Sequence, residues 1–310
     1  MNKHIVIDSS EEKAFIEDLK NRKDIKAERI KRLLELPDLT KKENSPVKIL
    51  VDQILILPRF ADFDFMDFPR IVSVVNNFDV LNTPNDHPSR RETDTYYITD
   101  NEVLRTHTTT MWPYYLRDKE ILEKLKNKEW VGLLSTGIVF RKDEIDRKHF
   151  PAFHQIDGLY ICKKEQKVLK QKDLEDVLVD IAKSIFGQDI EYKFAVDSFP
   201  FTDPSVEMNI KFKDQWMEIL GSGLVHKKVL ENFGLDAKIY NGWAFGMGID
   251  RLAMVKMEIP DIRILWSNDP RITSQFKDIN SKYKEVSKYP AVERDISFII
   301  GKGISLNNYY

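Results

Sequence analysis

The sequence contains a single cysteine, Cys162, in 310 residues. One thiol can form neither a disulfide framework nor a cysteine-based zinc site, and such sparse use of cysteine fits a reducing compartment. The richest apolar stretch, residues 49–57, is broken by polar side chains and is too short to span a bilayer. Acidic residues come early, at Asp8, Glu11 and Glu12, unlike a secretory signal or an arginine-rich transit peptide. These absences predict a cytoplasmic protein.

An excess of one charge is also missing, since 48 Lys and Arg face 50 Asp and Glu for a formal net charge of -2. This balance excludes binding of nucleic acid through gross positive charge, but not through a local basic patch. Residues 20–43 are locally basic, which is typical of a solvated helix face and is also compatible with a contact surface for a polyanion. The basic residues there are Lys20, Arg22, Lys23, Lys26, Arg29, Lys31, Arg32, Lys41 and Lys42.

Common nucleotide and metal signatures are absent: the sequence has no Walker A loop, no GxGxxG and no HExxH. A nucleotide would therefore have to be bound by side chains on a sheet rather than by a glycine loop at a helix start.

Apolar spacing predicts three helical regions ahead of the last quarter of the chain. Residues 11–36 suit a surface helix or helical arm that Pro37 ends. A capping serine followed by proline opens a second helix over 45–57. A third helix begins near Asp173 and ends at Gly187.

Alternating apolar positions predict strands elsewhere. Residues 206–212 alternate with period two, and 216–221 return as a second strand after a short turn. Strands also dominate the interpretation of 95–209, whereas 60–83 suggest irregular structure with short strands. A further helix follows Gly248. Hairpin strands with helices set apart predict an antiparallel α+β domain rather than a doubly wound βαβ fold.

Three clusters concentrate groups that could carry chemistry. They are RKDEIDRKHFPAFHQIDG at 141–158, SFPFTDPS at 198–205 and GWAFGMGIDRLAM at 242–254. Taken singly, the first suits a charged hairpin loop, the second an aromatic strand end in the core, and the third a helix packed on a sheet through small residues.

Taken together, the clusters resemble the catalytic subunit of class II phenylalanyl-tRNA synthetases. FHQIDG is similar to the family's FHQxEG, SFPFTDPS to FPFTEPS, and WMEILGSGLVH to WLEVLGCGMVH. GWAFGMGIDRLAM resembles the third class II motif almost letter for letter, and FDVLNTPNDHPSR and LRTHTTT resemble FDALNxPxxHPAR and LRTHTSP. The resemblance covers residues 45–276. It implies a class II synthetase catalytic domain, an antiparallel sheet flanked by helices.

The resemblance implies a ligase that activates phenylalanine with ATP and transfers it to tRNA(Phe). Two alternatives stay open. One is a paralogue that activates an amino acid for an acceptor other than tRNA, and the other is a non-catalytic subunit on the same fold.

By the same resemblance, the ATP site comprises Arg141, Asp143, His149, Phe153 and Arg251. Arg141 would clamp the α-phosphate and the amino acid carboxylate, and Arg251 would cover the adenine and reach the γ-phosphate; both are the expected catalytic residues. Phe153 would stack on the adenine, Asp143 would lie near its amino group, and His149 near the phosphates.

The resemblance also implies an amino acid pocket and a metal ligand. Gln155 and Asp157 would hold the ammonium, and His107 and Thr109 would lie near the reacting end. Phe199 and Phe201 would pack edge-to-face on the substrate ring. Ala244 and Gly246 would form the floor, and Glu218 would bind Mg²⁺. Several residues depart from the family pattern, and of these Asp157, in place of Glu, bears directly on the choice of substrate.

The expected domains are an N-terminal helical arm at 1–44, a catalytic domain at 45–277, and a tail at 278–310. The tail resembles the start of the ferredoxin-like anticodon-binding domain of single-chain members, and we expect poor packing from about residue 278 onward. Class II folds usually dimerise through motif 1, which we assign to 60–82 with Pro69 at the motif proline. Whether the partner is a β subunit or a second copy stays open.

Overall fold

The computed structural model describes residues 2–128, 130–287, 289, 299 and 301. An eight-stranded sheet with strand order β1-β2-β5-β6-β10-β9-β8-β7 forms its centre, and β3 and β4 form a separate ribbon. The strands are β1 (His4–Val6), β2 (Asp64–Asp67), β3 (Ile71–Ser73), β4 (Glu102–Leu104), β5 (Trp130–Phe140), β6 (Ala152–Lys163), β7 (Tyr192–Phe199), β8 (Thr202–Phe212), β9 (Gln215–Val225) and β10 (Tyr240–Gly248).

Helices flank the sheet and lie at its edges. They are α1 (Ser10–Asn21), α2 (Ile25–Leu34), α3 (Pro46–Leu55), α4 (Trp112–Leu116), α5 (Lys119–Lys128), α6 (Gln171–Phe186), α7 (Lys227–Asn232), α8 (Ile249–Met257) and α9 (Pro270–Thr273). Single 3₁₀ turns and a π-helical turn over Val75–Asp79 complete the described elements. None of the helices described is long and apolar enough to cross a membrane.

The pairing of the strands confirms the predicted antiparallel α+β class. From β5 to β7 every neighbouring pair is antiparallel. Only β1 with β2 and β2 with β5 run parallel. The long central strands β5, β6 and β10 are buried on both faces, so their side chains alternate between two cores.

Two cores therefore lie on opposite faces of the sheet. On one face α3, α6 and α8 pack over residues such as Ile156 and Cys162 of β6. On the other face α4, α5 and α7 pack over Leu159 and Ile161 of the same strand. Odd-numbered residues of β6 thus point to the second face, which is where the candidate site lies.

The predicted helices form, with shifts at their ends. The helix after Asp173 ends at Gly187, whose φ of 101° is the backbone conformation that favours glycine. The helix that begins at Pro46 ends at Leu55 rather than Leu57. Besides the predicted helix α6, residues 95–209 contain α4 and α5, which the sequence analysis did not identify.

Residues 2–44 pack against the sheet instead of projecting as an arm. Strand β1 extends the edge of the sheet by pairing with β2. Helices α1 and α2 bury Leu19 and Ile30 against Leu104 and Ile138. Residues 10–21 and 25–34 are helical, as predicted. They form two helices rather than one, and Asp24 caps the start of the second.

Residues 278–287, the first part of the expected tail, are mostly exposed, although a few contacts hold them against the domain. Ile279 is buried, and the Tyr283 amide donates to the Met257 carbonyl at 2.7 Å. Lys282 pairs with Glu258, the residue that follows α8. The resemblance to a ferredoxin-like domain falls on residues 288–310, which lie outside the described residues except for 289, 299 and 301.

Candidate active site

A cavity of about 1300 Å³ opens beside β6, and the residues predicted from the sequence lie together along its wall. They come from β5–β6, from the turn after β4, and from β7, β8, β9, β10 and α8. The predicted residues that line it are His107, Thr109, Arg141, Asp143, His149, Phe153, Gln155, Asp157, Phe199, Phe201, Glu218, Ala244, Gly246 and Arg251.

The alternation of β6 explains why three of these side chains share one wall. Phe153, Gln155 and Asp157 are two residues apart, so they point to the same face of the sheet. Gly246 lies opposite Asp157 in the neighbouring strand β10. A Cβ at Gly246 would lie 2.6 Å from Asp157 Oδ1, so glycine there keeps the space in front of the carboxylate open.

Asp157 is a buried carboxylate with one free oxygen. Its Oδ2 accepts a hydrogen bond from Thr109 Oγ1 at 2.5 Å. Its Oδ1 is buried without a partner among the described residues. Burial raises the pKa of Asp157 to about 6, against the opposing effects of the Thr109 hydroxyl and of the charge of Arg141. An unpaired buried acceptor of this kind fits an ammonium donor.

The turn from Thr106 to Met111 brings polar groups to the same wall. Asn77 fixes its start, donating from Nδ2 to Thr106 Oγ1 at 2.9 Å and accepting from the Thr106 amide at 3.1 Å. The Thr108 amide donates to Gln155 Oε1 at 3.3 Å. Burial, helped by the charge of Arg141, lowers the pKa of His107 to about 3. The imidazole is therefore neutral at pH 7, and its buried Nδ1 has no partner among the described residues.

Aromatic rings close the apolar part of the cavity. The rings of Phe199 and Phe201 lie parallel, with centroids 6.0 Å apart and an interplanar angle of 9°. Trp112 meets Phe201 edge-on at 6.1 Å and leaves its buried Nε1 unpaired within the described chain. Ala244 lies on β10 beside this group and also lines the cavity. The result is a pocket of apolar walls with a few unpaired polar atoms.

The other half of the cavity is cationic. Arg141 follows β5, and its Nε donates to the Thr106 carbonyl at 3.2 Å. Its guanidinium lies 5.1 Å from the centroid of the Phe153 ring. Arg251 enters the cavity from the first turn of α8 and has no ion-pair partner among the described residues. His149, on the exposed loop after Arg141, has Nδ1 3.0 Å from the Asp146 carboxylate.

Behind this wall a buried hydrogen-bond chain joins three segments of the molecule. The His154 amide donates to Asp250 Oδ2 at 2.6 Å, and His154 Nδ1 lies 3.1 Å from the same carboxylate. The Leu39 amide donates to His154 Nε2 at 2.9 Å. Because Nε2 accepts, the proton of a neutral imidazole is on Nδ1, facing Asp250. The chain ties the N-terminal segment to β6 and to the start of α8.

A buried arginine fixes the turn that carries His107. Arg105 donates to the carbonyls of Ile138 and Phe68, each at 2.8 Å. Burial lowers the pKa of Arg105 to about 10, so the guanidinium remains charged at neutral pH. Gly137 has φ of 152°, and a Cβ there would overlap the guanidinium. Glycine in the middle of β5 is therefore required by the approach of Arg105.

Glu218 is the predicted metal ligand, and it is exposed at the cavity rim on β9. Partial desolvation by the surrounding cavity wall and the negative charge of Glu207, on the adjacent strand β8, raise the pKa of Glu218. The described residues contain no group of three or more His, Cys, Asp or Glu side chains placed to hold a metal ion together. The carboxylates offer hard oxygen donors, but too few for a cage made only of protein ligands.

Sequence reasoning missed several contributors to this arrangement. Trp112 lies two residues after the LRTHTTT block, which was a usable signal. Nothing in the sequence indicated that Glu207 would lie near Glu218, because this proximity depends on the pairing of β8 with β9. Asp250 lies in the first turn of the helix predicted after Gly248 and departs from the family pattern, but neither observation pointed to His154. Its contact with His154 spans 96 positions of sequence, so the sequence alone could not reveal it.

Comparison with known proteins adds an independent finding. The family model described as "tRNA synthetases class II core domain (F)" matches residues 32–276. A chloroplastic/mitochondrial phenylalanine–tRNA ligase of Arabidopsis thaliana is 39% identical over 255 residues, covering 79% of this chain and 56% of that protein. The mitochondrial phenylalanine–tRNA ligase of Mus musculus is 36% identical over 290 residues, covering 82% of this chain and 61% of its own length.

A bacterial relative gives a similar result. The phenylalanine–tRNA ligase alpha subunit of Caldicellulosiruptor bescii is 38% identical over 227 residues, covering 69% of this chain and 63% of that subunit. The chain thus spans about three fifths of the length of these relatives.

Proposed function

The chain belongs to the class II tRNA synthetase core domain (F) family, and on that premise we propose that it activates phenylalanine with ATP and transfers the phenylalanyl group to tRNA(Phe). The observation that carries this proposal is the convergence of the predicted substrate-binding residues on a single cavity. These residues come from segments more than 100 positions apart in the sequence, such as His107 and Arg251.

Buried polar atoms without a partner support the proposed binding of the amino acid. In the proposed complex the ammonium of phenylalanine donates to Asp157 Oδ1, which is buried and unpaired among the described residues. The phenyl ring enters between Phe199, Phe201 and Ala244. Because Phe199 and Phe201 are parallel to each other, a substrate ring meeting both edges-on satisfies the preferred geometry of aromatic contacts.

The cationic side chains of the cavity support the proposed binding of ATP. Arg141 binds the α-phosphate and the substrate carboxylate, and its planar fork suits both kinds of oxygen. Phe153 and Arg251 enclose the adenine, Asp143 lies near its amino group, and His149 near the phosphates. The phenylalanine carboxylate oxygen then forms a bond to the α-phosphorus, and the bond to the leaving pyrophosphate breaks. Arg141 aligns the reactants and offsets the charge that develops in line.

A magnesium ion fits the rim at Glu218. Magnesium in nucleotide sites commonly takes one or two carboxylates together with phosphate oxygens. Desolvation and, secondly, repulsion by Glu207 raise the pKa of Glu218, and a bound cation would relieve that repulsion. When bound, the ion would neutralise phosphate charge. Glu218 is the ligand that we assign to it, and Glu207 is the neighbouring acid.

The decisive experiment is ATP–pyrophosphate exchange by the purified chain, with phenylalanine and tyrosine compared. We expect exchange with phenylalanine and weak exchange with tyrosine, because an apolar floor at Ala244 rejects a hydroxyl only modestly. Charging of tRNA(Phe) is measured next. Exchange without charging would favour the paralogue with another acceptor.

Binding of ATP without any exchange would contradict the proposal and favour a non-catalytic subunit. Repeating the assay with an added candidate β subunit separates an enzyme that needs a partner from an inactive one. We also propose that residues 45–277, together with the N-terminal segment packed against them, form the activating unit, and that residues 278–310 are a partial ferredoxin-like anticodon-binding domain or a tail. The exchange assay on the isolated chain tests whether activation depends on a partner.

A further inference from the structure

The described surface carries a stripe of four unpaired cations beside the candidate site. Lys26, Arg29 and Arg32 recur every third residue of α2, so successive members are neighbours on its surface, and Lys23 lies just before the helix begins. All four are exposed. We name them the α2 stripe.

The two acids interspersed with the stripe in the sequence are already paired with other cations. Asp24 pairs with Arg22 at 2.9 Å, and Glu28 pairs with Lys31 at 2.6 Å. Among the residues that the structure describes, no carboxylate lies within ion-pair distance of the four stripe cations. Their charge is therefore directed to solvent.

A second cleft, of about 650 Å³, lies between α2 and the loop 141–151. Lys23, Arg29 and Arg32 form its basic side, and Asp143 and Phe150 line both this cleft and the candidate active site. A ligand bound along the stripe therefore continues directly into the mouth of the cavity.

The loop itself adds a fifth cation. Lys142 is held by the segment before β4, where its side chain donates to the Glu92 carbonyl and its amide to the Asp94 carbonyl. Its ammonium lies 5.4 Å from the centroid of the Tyr96 ring. Burial and the positive charges of Arg29 and Lys26 lower the pKa of Lys142, with Glu92 opposing. The stripe and the loop thus face each other across the cleft.

We propose that the α2 stripe and Lys142 bind the phosphate backbone of the acceptor end of the tRNA and guide its 3′ terminus into the cavity. The inference rests on the proposed function. It follows from position and charge, because the exposed cations border the cavity mouth. Helical rise places Lys26 and Arg32 about 9 Å apart along the axis, enough to meet two or three consecutive phosphates of a strand.

The test compares two variants of equal net charge. The stripe variant carries Lys23→Gln, Lys26→Gln, Arg29→Gln and Arg32→Gln. The control variant carries Lys119→Gln, Lys227→Gln, Lys228→Gln and Lys238→Gln. Those four lysines are exposed, belong to α5, α7 and the loop after α7, and make no side-chain hydrogen bond or ion pair within the described chain. Each variant is mixed with a labelled RNA hairpin that reproduces the acceptor end of the tRNA.

We expect the stripe variant to bind this hairpin on the order of 100-fold more weakly at about 0.1 M salt. The slope of log affinity against log salt should become shallower by about 2, since two or three phosphate contacts are lost and each removes about 0.7–0.9. The control variant should keep the parent slope. Phenylalanine-dependent exchange should stay within about twofold in both variants, while KM for tRNA in charging rises only in the stripe variant.

Equal losses in the two variants, or an unchanged slope in the stripe variant, would overturn the assignment. Arg32→Gln alone provides a milder version if the fourfold change unfolds the chain, with an expected loss of slope near 0.8. Failure of exchange in the parent would count against the proposed function, whereas the RNA binding comparison would still decide the surface by itself.

Discussion

In the proposed function, Asp157 is the residue on which the choice of substrate depends most directly. Its carboxyl is shorter by one methylene than the glutamate usual in the resembled family, yet Thr109 and Gly246 arrange a space in front of it. Its burial keeps the carboxylate poorly solvated until a cation arrives. A substrate ammonium therefore gains more from this group than it would from an exposed acid.

The raised pKa of Asp157 predicts a pH effect on amino acid binding. Above a pH of about 6 the carboxylate is ionised and binds the ammonium, and below it the protonated acid cannot form the ion pair. KM for phenylalanine in the exchange assay should rise about tenfold for each pH unit below 6. The Asp157→Asn variant is the control, with a high and pH-independent KM. A flat profile in the parent between pH 5 and 7 would contradict the assignment.

Gly246 offers a test by steric means. In Gly246→Ala the new methyl carbon would lie 2.6 Å from Asp157 Oδ1 and cover the atom that we assign to the ammonium. We expect KM for phenylalanine to rise by on the order of 100-fold, equivalent to about 2.7 kcal/mol. KM for ATP should change by less than about twofold, because the cationic half of the cavity is untouched. Equal effects on both substrates would point to a general disturbance of β10 instead.

At the scale of elements, strand β6 and helix α8 are joined by the contact between His154 and Asp250. The carboxylate accepts two hydrogen bonds from one residue, and both partners are fully buried. Since Arg251 follows Asp250 directly, this contact also fixes where the helix presents its guanidinium. Asp250 is thus a positioning residue for the cationic half of the site.

Removing the Asp250 carboxylate should lower the free energy of unfolding more than it affects the reaction. Asp250→Ala leaves the amide and Nδ1 of His154 buried without an acceptor, which destabilises by about 3 kcal/mol. Asp250→Asn retains one acceptor and should lose roughly half as much. Urea unfolding at pH 7 measures both. If Asp250→Ala unfolds at the parent's midpoint, the contact contributes nothing and the interpretation is wrong.

The elements that the sequence predicted are those with long regular patterns. Period two identified β8, the short turn after it identified β9 as a returning strand, and apolar spacing with a terminal glycine identified α6. Helices α4 and α5 were missed because α4 has only one turn and is almost wholly buried, so it shows no polar face. Strand β1 was missed because three residues cannot establish a period.

The site was predicted residue by residue through motif wording, while its supports were not. Arg105 approaches Gly137 from another strand, and Leu39 reaches His154 across 115 positions. Such contacts depend on how segments meet in space, and no local pattern records them. The predicted roles of the site residues remain proposals, whereas the common cavity is a finding.

At the scale of the whole molecule, the N-terminal residues are part of the folded unit. Strand β1 forms one edge of the central sheet, α1 and α2 cover a core of their own, and Leu39 contacts the support of the site. The family model also begins at residue 32, inside α2.

Deleting residues 1–44 should therefore unfold the chain. The deletion removes the buried side chains Leu19, Ile30, Leu33 and Leu39, each contributing about 1.5–3 kcal/mol, against a net stability of about 5–15 kcal/mol. Thermal melting followed by circular dichroism measures the effect. A truncated protein that melts like the parent would restore the description of this segment as an independent arm.

A matched pair of point variants on α2 refines the same test. Ile30 is buried and Ile25 is 82% exposed. Ile30→Ala should lower the free energy of unfolding by about 2–5 kcal/mol, and Ile25→Ala by less than about 0.5 kcal/mol.

The aromatic residues on the two faces of the sheet have a consequence for spectroscopy. Trp130, Tyr160 and Trp243 stack with centroids 5.4–5.6 Å between neighbours, on the side of β6 away from the cavity. Trp112 alone among the tryptophans combines a place in the cavity wall with an unpaired buried indole N–H. Coupled electronic transitions of the stacked rings should give a near-ultraviolet circular dichroism signal that reports on folding. The fluorescence emission of Trp112 should report on whether the pocket is occupied. The protein thus has two intrinsic optical signals, so ligand binding and unfolding can be followed separately without an added label.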